Sequence, residues 1–215
     1  MAVKIQGMGE LYRVTDTFQL SGNHLSLDFV NTVDDRATSA PKEGLQSYED
    51  LVVWGEQASI ITADEARQLV EMAARRPGEA VEVLRETVTV REALFRILTR
   101  IVNEDTPQED DLQLFNAALS EVMSKARIIS RGERFMWDWY GNEHEMGSVL
   151  WPVVRASADL LTSQHLHDVR MCAADDCQWF FLDTSKNHSR RWCDMKTCGN
   201  RAKVNRHNER KKQVG

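Results

Sequence analysis

The sequence predicts a mainly α-helical (α+β) chain, with a helical N-terminal domain, one small β-hairpin and a compact cysteine-rich end. Two observations support this fold class. Helical periodicity and capping signals run through most of residues 25–165. All four cysteines lie in the last fifth of the chain, as two close pairs. The domains expected from this division are residues 1–166 and 167–215, and a hydrophobic content of 42% is sufficient for a core.

Capping signals place the first three helices. The expected N-caps are hydroxyl residues followed by early acids: Ser26, Ser47 and Thr62. The helix behind Ser26 is expected to run from Leu27 to about Asp34. The helix behind Thr62 carries Glu65 at its third position, which completes a capping box, and it is expected to run to about Arg76.

Two longer helices follow. Pro77 is typical of a first helical position. The inward stripe of its helix is expected to comprise Val81, Leu84, Val88, Phe95, Leu98 and Val102. A second capping box, Thr106 with Glu109, predicts a helix whose inward residues are Leu112, Phe115, Leu119 and Val122.

Arg91 interrupts the apolar stripe of the longest helix. A buried guanidinium needs an acid, here Asp28 or Glu92, or else a path to solvent, since an unpaired buried charge is very costly. A second interpretation is a binding site for a small anionic or polar effector. Its candidate ligand-binding residues are Asp28, Asn31, Arg91 and Asn116.

The rest of the N-terminal domain mixes strand and helix. Residues 127–130 and 135–140, with a glycine between them, predict a β-hairpin. Trp137 and Trp139 share one face of its second strand and are expected to pack against helices. Residues from 147 to about 165 return to helical spacing and lead into the cysteine-rich end.

The spacing of the cysteines predicts a metal site. Cys172 and Cys177 form one C-x4-C pair, and Cys193 and Cys198 form another, with fifteen residues between the two pairs. Each pair supplies two thiolates from one turn, which is the arrangement of a tetrahedral zinc site. Disulfides are the alternative, but they are typical of secreted chains, and residues 1–22 lack the apolar region of a signal peptide. Four thiolates leave no position for a catalytic water, so the expected Zn²⁺ is structural.

The order of elements around the cysteines predicts a treble-clef-like finger. A strand at residues 179–182 leaves the first pair, and a return strand at residues 189–192 enters the second. The second pair is expected to begin a helix that runs to about Arg210. This C-terminal four-cysteine zinc finger completes the predicted fold.

Charge is distributed unevenly along the chain. The formal net charge is −6, but residues 186–215 carry +8 and residues 1–185 carry −14. The acidic part is expected to repel nucleic acid and the basic end to attract it, although the two parts could instead attract each other. The candidate nucleic-acid-binding residues are Arg190, Arg191, Lys196, Asn200, Arg201, Lys203, Arg206 and Arg210.

Two stretches resemble a known family. The run Cys198-Gly199-Asn200-Arg201, after an upstream cysteine pair, resembles the CGNR-type zinc finger. Residues 22–32 are similar to the opening of the ABATE domain, which precedes that finger in bacterial proteins described as stress-induced transcription regulators. The resemblance implies a cytoplasmic regulator that docks its finger on double-stranded DNA. It further implies an N-terminal domain that senses a small molecule. Because a single finger offers too small an interface for high specificity, that domain could instead mediate formation of a homodimer.

The sequence leaves two alternatives to DNA binding, and both of them would use the same finger. That finger is also compatible with RNA binding or with protein docking that involves no sequence-specific DNA contact. An enzyme is not expected, because the sequence has no nucleophile motif, phosphate-binding glycine loop or H-E-x-x-H. A membrane partner is not expected either, because no apolar run is long enough to cross a bilayer.

Overall fold

The computed structural model describes residues 18–141 and 145–205. Its α-helices are α1 (Leu25–Val30), α2 (Tyr48–Gln57), α3 (Ala63–Arg75), α4 (Pro77–Val102), α5 (Glu109–Lys125), α6 (Trp151–Leu161) and α7 (residues 200–205). Its strands are β1 (Val33–Asp34), β2 (Lys42–Glu43), β3 (Ala126–Arg131), β4 (Arg134–Trp139), β5 (Val169–Met171) and β6 (Phe180–Leu182). Consecutive strands pair as antiparallel two-stranded sheets. The predicted mainly helical (α+β) class is confirmed.

Helix α4 lies at the centre of the helical body, in contact with α1, α2, α3 and α5. Its buried residues are Ala80, Thr87, Val90, Arg91, Ala93, Leu94, Ile97 and Leu98. The predicted inward stripe is wrong at its N-terminal end, because Val81 is 63% exposed. Apolar residues lie on several sides of this helix, so periodicity alone does not determine which side faces the core.

Two of the predicted N-caps are confirmed. The side chains of Ser47 and Thr62 accept hydrogen bonds from the third backbone N–H of α2 and α3. The carboxylates of Asp50 and Glu65 bind back to the N-cap backbone, so both helices begin with a complete capping box.

The other two predicted N-caps are wrong. Helix α1 begins after His24, whose Nδ1 accepts from the backbone N–H of Ser26, and it ends at Val30, earlier than expected. Helix α5 begins at Glu109 itself. Glu109 is therefore the first helical residue rather than the third, and Thr106 lies too far upstream to cap the helix.

The hairpin of β3 and β4 has the predicted strands, with Ile128 opposite Trp137. Gly132 in its turn has a φ of +65°, in the left-handed region that glycine tolerates. Trp139 packs against the helical core as expected. Trp137 remains 40% exposed, with the guanidinium of Arg155 5.2 Å from its ring centroid.

The region before the finger is less regular than predicted. Two 3-10 turns, Met146–Leu150 and Gln164–Asp168, flank α6, where the sequence predicted one continuous helix. Pro152 lies in the first turn of α6, where its missing N–H costs no helical hydrogen bond. No helix in the described ranges is both long and apolar enough to cross a membrane.

Strand β6 pairs with β5, which lies upstream of the first cysteine pair. The predicted return strand at residues 189–192 is wrong, because these residues form no strand. The reason lies at Asp183, whose carboxylate accepts hydrogen bonds from the backbone N–H groups of Ser185 and Arg190. These bonds hold the intervening residues in a loop, so they cannot run alongside β6.

Candidate metal centre and nucleic-acid surface

The four cysteines form one buried cluster. Their Sγ atoms all lie within 4.8 Å of one another, and each residue is at most 6% exposed. The Sγ of Cys193 is 3.7 Å from that of Cys177 and 3.6 Å from that of Cys198. Zinc bound tetrahedrally by sulfur, with Zn–S bonds of about 2.3 Å, separates its ligands by about 3.8 Å. The cluster therefore has the dimensions of a four-thiolate metal site.

Crowding sets the ionisation of these thiols. Hydrogen bonds from Cys177 and Cys193 lower the pKa of Cys172 to about 2. Burial raises the pKa of Cys198, and the nearby Cys172 adds to that increase. The thiolate of Cys172 is therefore stabilised by hydrogen bonds from its protonated neighbours. Its negative charge opposes ionisation of Cys198. A divalent cation at the centre would remove that opposition and hold all four groups as thiolates.

Backbone hydrogen bonds shape the first cysteine turn and tie it to the second. The N–H of Cys172 donates to the carbonyl of Trp179 at 2.8 Å, and the N–H of Ala173 donates to the carbonyl of Arg191 at 2.8 Å. Gln178 has a φ of +60°, which reverses the chain toward β6. The two cysteine pairs are thus joined by main-chain contacts as well as by the sulfur cluster.

The second cysteine turn is a π-helical turn, Met195–Gly199, that leads into α7. The carboxylate of Asp194 caps it by accepting from the backbone N–H of Thr197 at 2.9 Å. A Cβ at Gly199 would lie 2.9 Å from the Sδ of Met195, so the exposed Met195 side chain would have to shift to make room for it. Gly199 thus packs against the end of the Met195 side chain.

Arg201 connects the start of α7 to the first cysteine turn. Its Nη2 donates to Oδ1 of Asp176 at 2.9 Å and lies 3.3 Å from the Sγ of Cys198. Sequence reasoning missed Asp176 as this partner, and the only signal was its position inside the first C-x4-C pair. Asn200 is exposed, and its amide donates to the carbonyl of Lys196 at 3.1 Å.

The guanidinium of Arg190 is bound inside the protein. It donates to the carbonyl oxygens of Trp192, Cys193 and Ser21, and it lies 4.3 Å from the ring centroid of Phe181. These contacts join the finger to the residues before α1. Arg190 therefore has a structural position, which sequence reasoning did not distinguish from that of its neighbour Arg191.

The other predicted nucleic-acid residues divide into an exposed group and a group that lies beyond the described ranges. Arg191, Lys196 and Lys203 are exposed, and they form no ion pair with any residue in 18–141 or 145–205. Arg206 and Arg210, and the predicted continuation of the helix to residue 210, lie outside the described residues.

Strand β6 attaches the finger to the helical body. The backbone N–H and carbonyl groups of Phe180 and Leu182 point away from β5. Residues that flank α1 bind all four of these groups. The side chain of Asn31 binds the N–H and the carbonyl of Phe180, both at 2.8 Å. The N–H of Leu182 donates to Gly22, and its carbonyl accepts from the side chain of Asn23. The body therefore completes this edge of the sheet.

Aromatic contacts reinforce the attachment. The indole N–H of Trp179 donates to the carbonyl of Val33 at 2.9 Å. The rings of Phe95 and Phe180 meet edge to face, with centroids 5.6 Å apart. The finger is therefore packed on the body rather than suspended from a linker.

The four residues predicted to bind an effector lie in different surroundings. Arg91 is 1% exposed and binds both carboxylate oxygens of Glu43, at 2.7 and 2.6 Å. It also donates to Thr32 and to Glu92, which confirms Glu92 as a partner. Asn116 lies on the exposed side of α5.

Asp28 and Asn31 serve the attachment of the finger. Asp28 accepts from the backbone N–H of Gly22 at 2.8 Å and does not contact Arg91, so that predicted pairing is wrong. Burial raises the pKa of Asp28 to about 6, against the opposing effect of the hydrogen bond from Gly22. Asn31 is the residue that binds Phe180.

Comparison with known protein families gives matches that follow the same division. The ABATE family model, described as a putative stress-induced transcription regulator, matches residues 23–164. This chain belongs to the ABATE family. The CGNR zinc finger model matches residues 169–211, so this ABATE protein carries a CGNR finger whose four cysteines form its metal-binding cluster. A comparison with curated proteins finds no match.

The two families indicate the general role of this ABATE protein. Neither is an enzyme family, because one groups transcription regulators and the other groups zinc fingers. A transcription regulator that carries a zinc finger indicates regulatory binding of nucleic acid.

Proposed function

We propose that this ABATE protein is a transcription regulator that docks its CGNR finger, ordered by Zn²⁺, on double-stranded DNA. The observation that carries the proposal is a difference between basic residues of one finger. Arg190 and Arg201 are bound to protein groups, whereas Arg191, Lys196 and Lys203 are exposed and form no ion pair with the described residues. Exposed cations on a rigid support are suited to contact DNA phosphates.

The donor set of the cluster favours zinc. Four thiolates are soft ligands, and a closed tetrahedral arrangement of them is typical of structural Zn²⁺. With four sulfur ligands, Cys172, Cys177, Cys193 and Cys198, no position is left for substrate or water. The metal would hold the two cysteine turns together and add on the order of 10 kcal/mol to the folding of the finger.

The exposed residues of the second cysteine turn suit a groove of DNA. Lys196, Asn200 and Lys203 follow one another at intervals of four and three residues, which keeps them near one side of the turn and α7. The lysines would bind phosphate groups on either side of a groove. The amide oxygen of Asn200 would be free to contact a base edge.

The body would orient the finger and limit where DNA can approach. Residues 1–185 carry −14, so DNA is repelled from the body and directed toward the basic end. An effector that acts through Asp28, Asn31, Arg91 or Asn116 stays a prediction, and it would have to displace Glu43 from Arg91. The role places the protein in the cytosol, together with the DNA it regulates.

The contact surface can be tested by neutralising one cation at a time in the zinc-loaded full-length protein. Arg191→Gln, Lys196→Gln and Lys203→Gln should each weaken duplex binding. Each should also reduce the slope of log affinity against log salt by about 0.9 for every phosphate that the variant no longer binds. Arg85→Gln, on the exposed side of α4, removes the same charge from a site outside the finger and is the control. Unchanged affinity and slope in all three finger variants would contradict the proposed surface.

Arg190→Gln distinguishes a structural role from a contact role. Because its guanidinium binds Ser21 and the finger backbone, this variant should lower thermal stability and leave the salt dependence of the remaining DNA binding unchanged. A reduced salt dependence with unchanged stability would instead place Arg190 on the DNA surface.

Sequence specificity requires a separate experiment. Fragments of sheared genomic DNA are bound to zinc-loaded protein at moderate salt and sequenced. A recurrent motif that is lost after zinc removal would support a sequence-specific regulator. Binding without enrichment that weakens as salt rises would show phosphate attraction alone and would favour an RNA or protein partner for the finger.

A further inference from the structure

The outer edge of β4 is open. The N–H of Tyr140 donates to the carbonyl of Lys125 at 2.9 Å, which extends the ladder of the hairpin by one pair. Hydrogen-bonded pairs alternate along an antiparallel ladder, so the backbone groups of Phe135, Trp137 and Trp139 point away from β3. Within residues 18–141 and 145–205, none of these groups has a hydrogen-bond partner.

Exposed apolar side chains are concentrated at the same place. Ten large hydrophobic side chains are exposed in the described part of the chain, and six of them lie within residues 123–140. They are Met123, Ile128, Phe135, Met136, Trp137 and Tyr140. Phe135 is 78% exposed, the highest value of the ten. A concentrated apolar patch beside an open strand edge is typical of a protein interface.

A groove of about 430 Å³ runs along the hairpin, and both β3 and β4 contribute to its lining. Ile129 and Arg131 of β3 line one side of it together with residues 136–139 of β4, and Leu69 and Met72 of α3 line the other. No helix or strand in the described ranges hydrogen-bonds to the outer edge of β4. The edge of β4 therefore differs from the edge of β6, which the body closes completely.

We propose that β4 pairs with β4 of a second copy of this chain, antiparallel and about a twofold axis at Met136. In this register Phe135 lies opposite Trp137 of the second copy, and both residues have outward backbone groups, as the pairing requires. Phe135 and Trp137 also lie on the same face of β4, so the register places aromatic side chains against each other.

Charge complementarity selects this register. The axis at Met136 places Arg134 opposite Asp138 of the second copy, and the symmetry repeats the pair. Arg134 is exposed and forms no ion pair with the described residues, whereas Asp138 binds Arg127 at 2.5 Å and retains further acceptor sites. Moving the axis to Phe135 or Trp137 would separate Arg134 from Asp138.

The first test measures the mass of the full-length protein by light scattering and sedimentation over a range of concentrations, without DNA, because the pairing does not depend on the proposed function. A concentration-dependent dimer is expected. Arg134→Glu should raise its dissociation constant by roughly tenfold or more, since two like-charge pairs replace two opposite-charge pairs. Arg131→Glu, the same change on β3 opposite Arg134, should have a smaller effect.

The second test uses the symmetry axis. Residues on the axis form a pair without backbone hydrogen bonds, with Cα atoms about 4.5 Å apart, a distance that a disulfide spans. Met136→Cys in zinc-loaded protein should therefore cross-link two chains under mild oxidation. Phe135→Cys is more exposed but does not lie opposite itself, so it should cross-link poorly. The unmodified protein controls for the four native cysteines.

Three results would overturn the proposal. The first is a monomer at every concentration, which would leave the edge to a different partner. The second is a dimer that Arg134→Glu and Arg131→Glu weaken equally or not at all. The third is cross-linking of Phe135→Cys as fast as that of Met136→Cys. Circular dichroism of each variant confirms that a loss of pairing is not a loss of folding.

Discussion

The side chain of Asn31 and the backbone of Phe180 form two hydrogen bonds, each of 2.8 Å, across 149 positions of sequence. Asn31 ends α1, and Phe180 begins β6. The amide side chain therefore takes the place of a neighbouring strand. Both residues are buried, so no water is available to replace either bond.

Asn31→Ala should destabilise the protein by about 2–4 kcal/mol, because it leaves the N–H and the carbonyl of Phe180 buried without partners. Urea unfolding followed by circular dichroism measures the change. Asn116→Ala, at an exposed site on α5, is the matched control and should change the free energy of unfolding by less than about 0.5 kcal/mol. Equal effects at the two sites would show that the contact is not stabilising.

Removal of the metal should destabilise the helical body as well as the finger. The cysteine turns hold β6, and β6 is bound to Gly22, Asn23 and Asn31 of the body. Chelation should therefore lower the melting temperature read from the helical signal at 222 nm, and added Zn²⁺ should restore it. An unchanged helical melting curve after verified metal loss would show that the two parts fold independently.

Arg91→Ala should cost about 3–5 kcal/mol, because it breaks a buried ion pair and leaves Glu43 without its cation, while Glu92 keeps its pair with Arg36. Arg85→Ala removes an arginine from the exposed side of the same helix, where it pairs with Glu82 at the surface, and should have a much smaller effect. Chemical denaturation of both variants checks the difference. A similar small loss in both would favour a ligand-binding role for Arg91.

Asp28 should make stability depend on pH. Its pKa is raised to about 6 by burial, above its value in the unfolded chain, so the folded state favours the protonated form. This stabilisation is complete below about pH 4 and is lost as pH rises through 6. Asp28→Asn retains an acceptor for Gly22 and should remove the dependence, a difference on the order of 1–2 kcal/mol after solvent screening.

Unfolding of both proteins between pH 4 and 7 measures this dependence. Asp110→Asn, at an exposed site in the first turn of α5, controls for the loss of one negative charge. If the free energy of unfolding varied with pH in the same way in the wild type and in Asp28→Asn, Asp28 would have the same pKa in the folded and unfolded states.

The features that the sequence predicted correctly depend on neighbouring residues. The N-cap at Ser47 and the capping box at Thr62 involve only residues three positions apart. The cysteine cluster follows from two local pairs, each with a fixed spacing. The hairpin depends on a turn that contains Gly132. Local hydrogen bonding and turn conformation decide all of these, so a single sequence contains the required information.

The features that the sequence did not predict depend on distant residues. Strand β6 is bound by β5 and by Asn31, and no local pattern identifies either one. Charge alone could not separate Arg190, which binds Ser21, from Arg191, which is exposed. The partner Glu43 of Arg91 lies 48 positions away in another element. Tertiary contacts decided these cases.

The closed edge of β6 has a consequence for the order of folding and for the choice of fragments. The residues that complete the edge are synthesised first and the strand almost last, so the finger can reach its final state only after nearly the whole chain is made. A fragment that began at residue 167 would contain every cysteine and yet expose a bare strand edge to other chains. Residues 21–33 are in this sense a part of the finger that lies at the other end of the sequence.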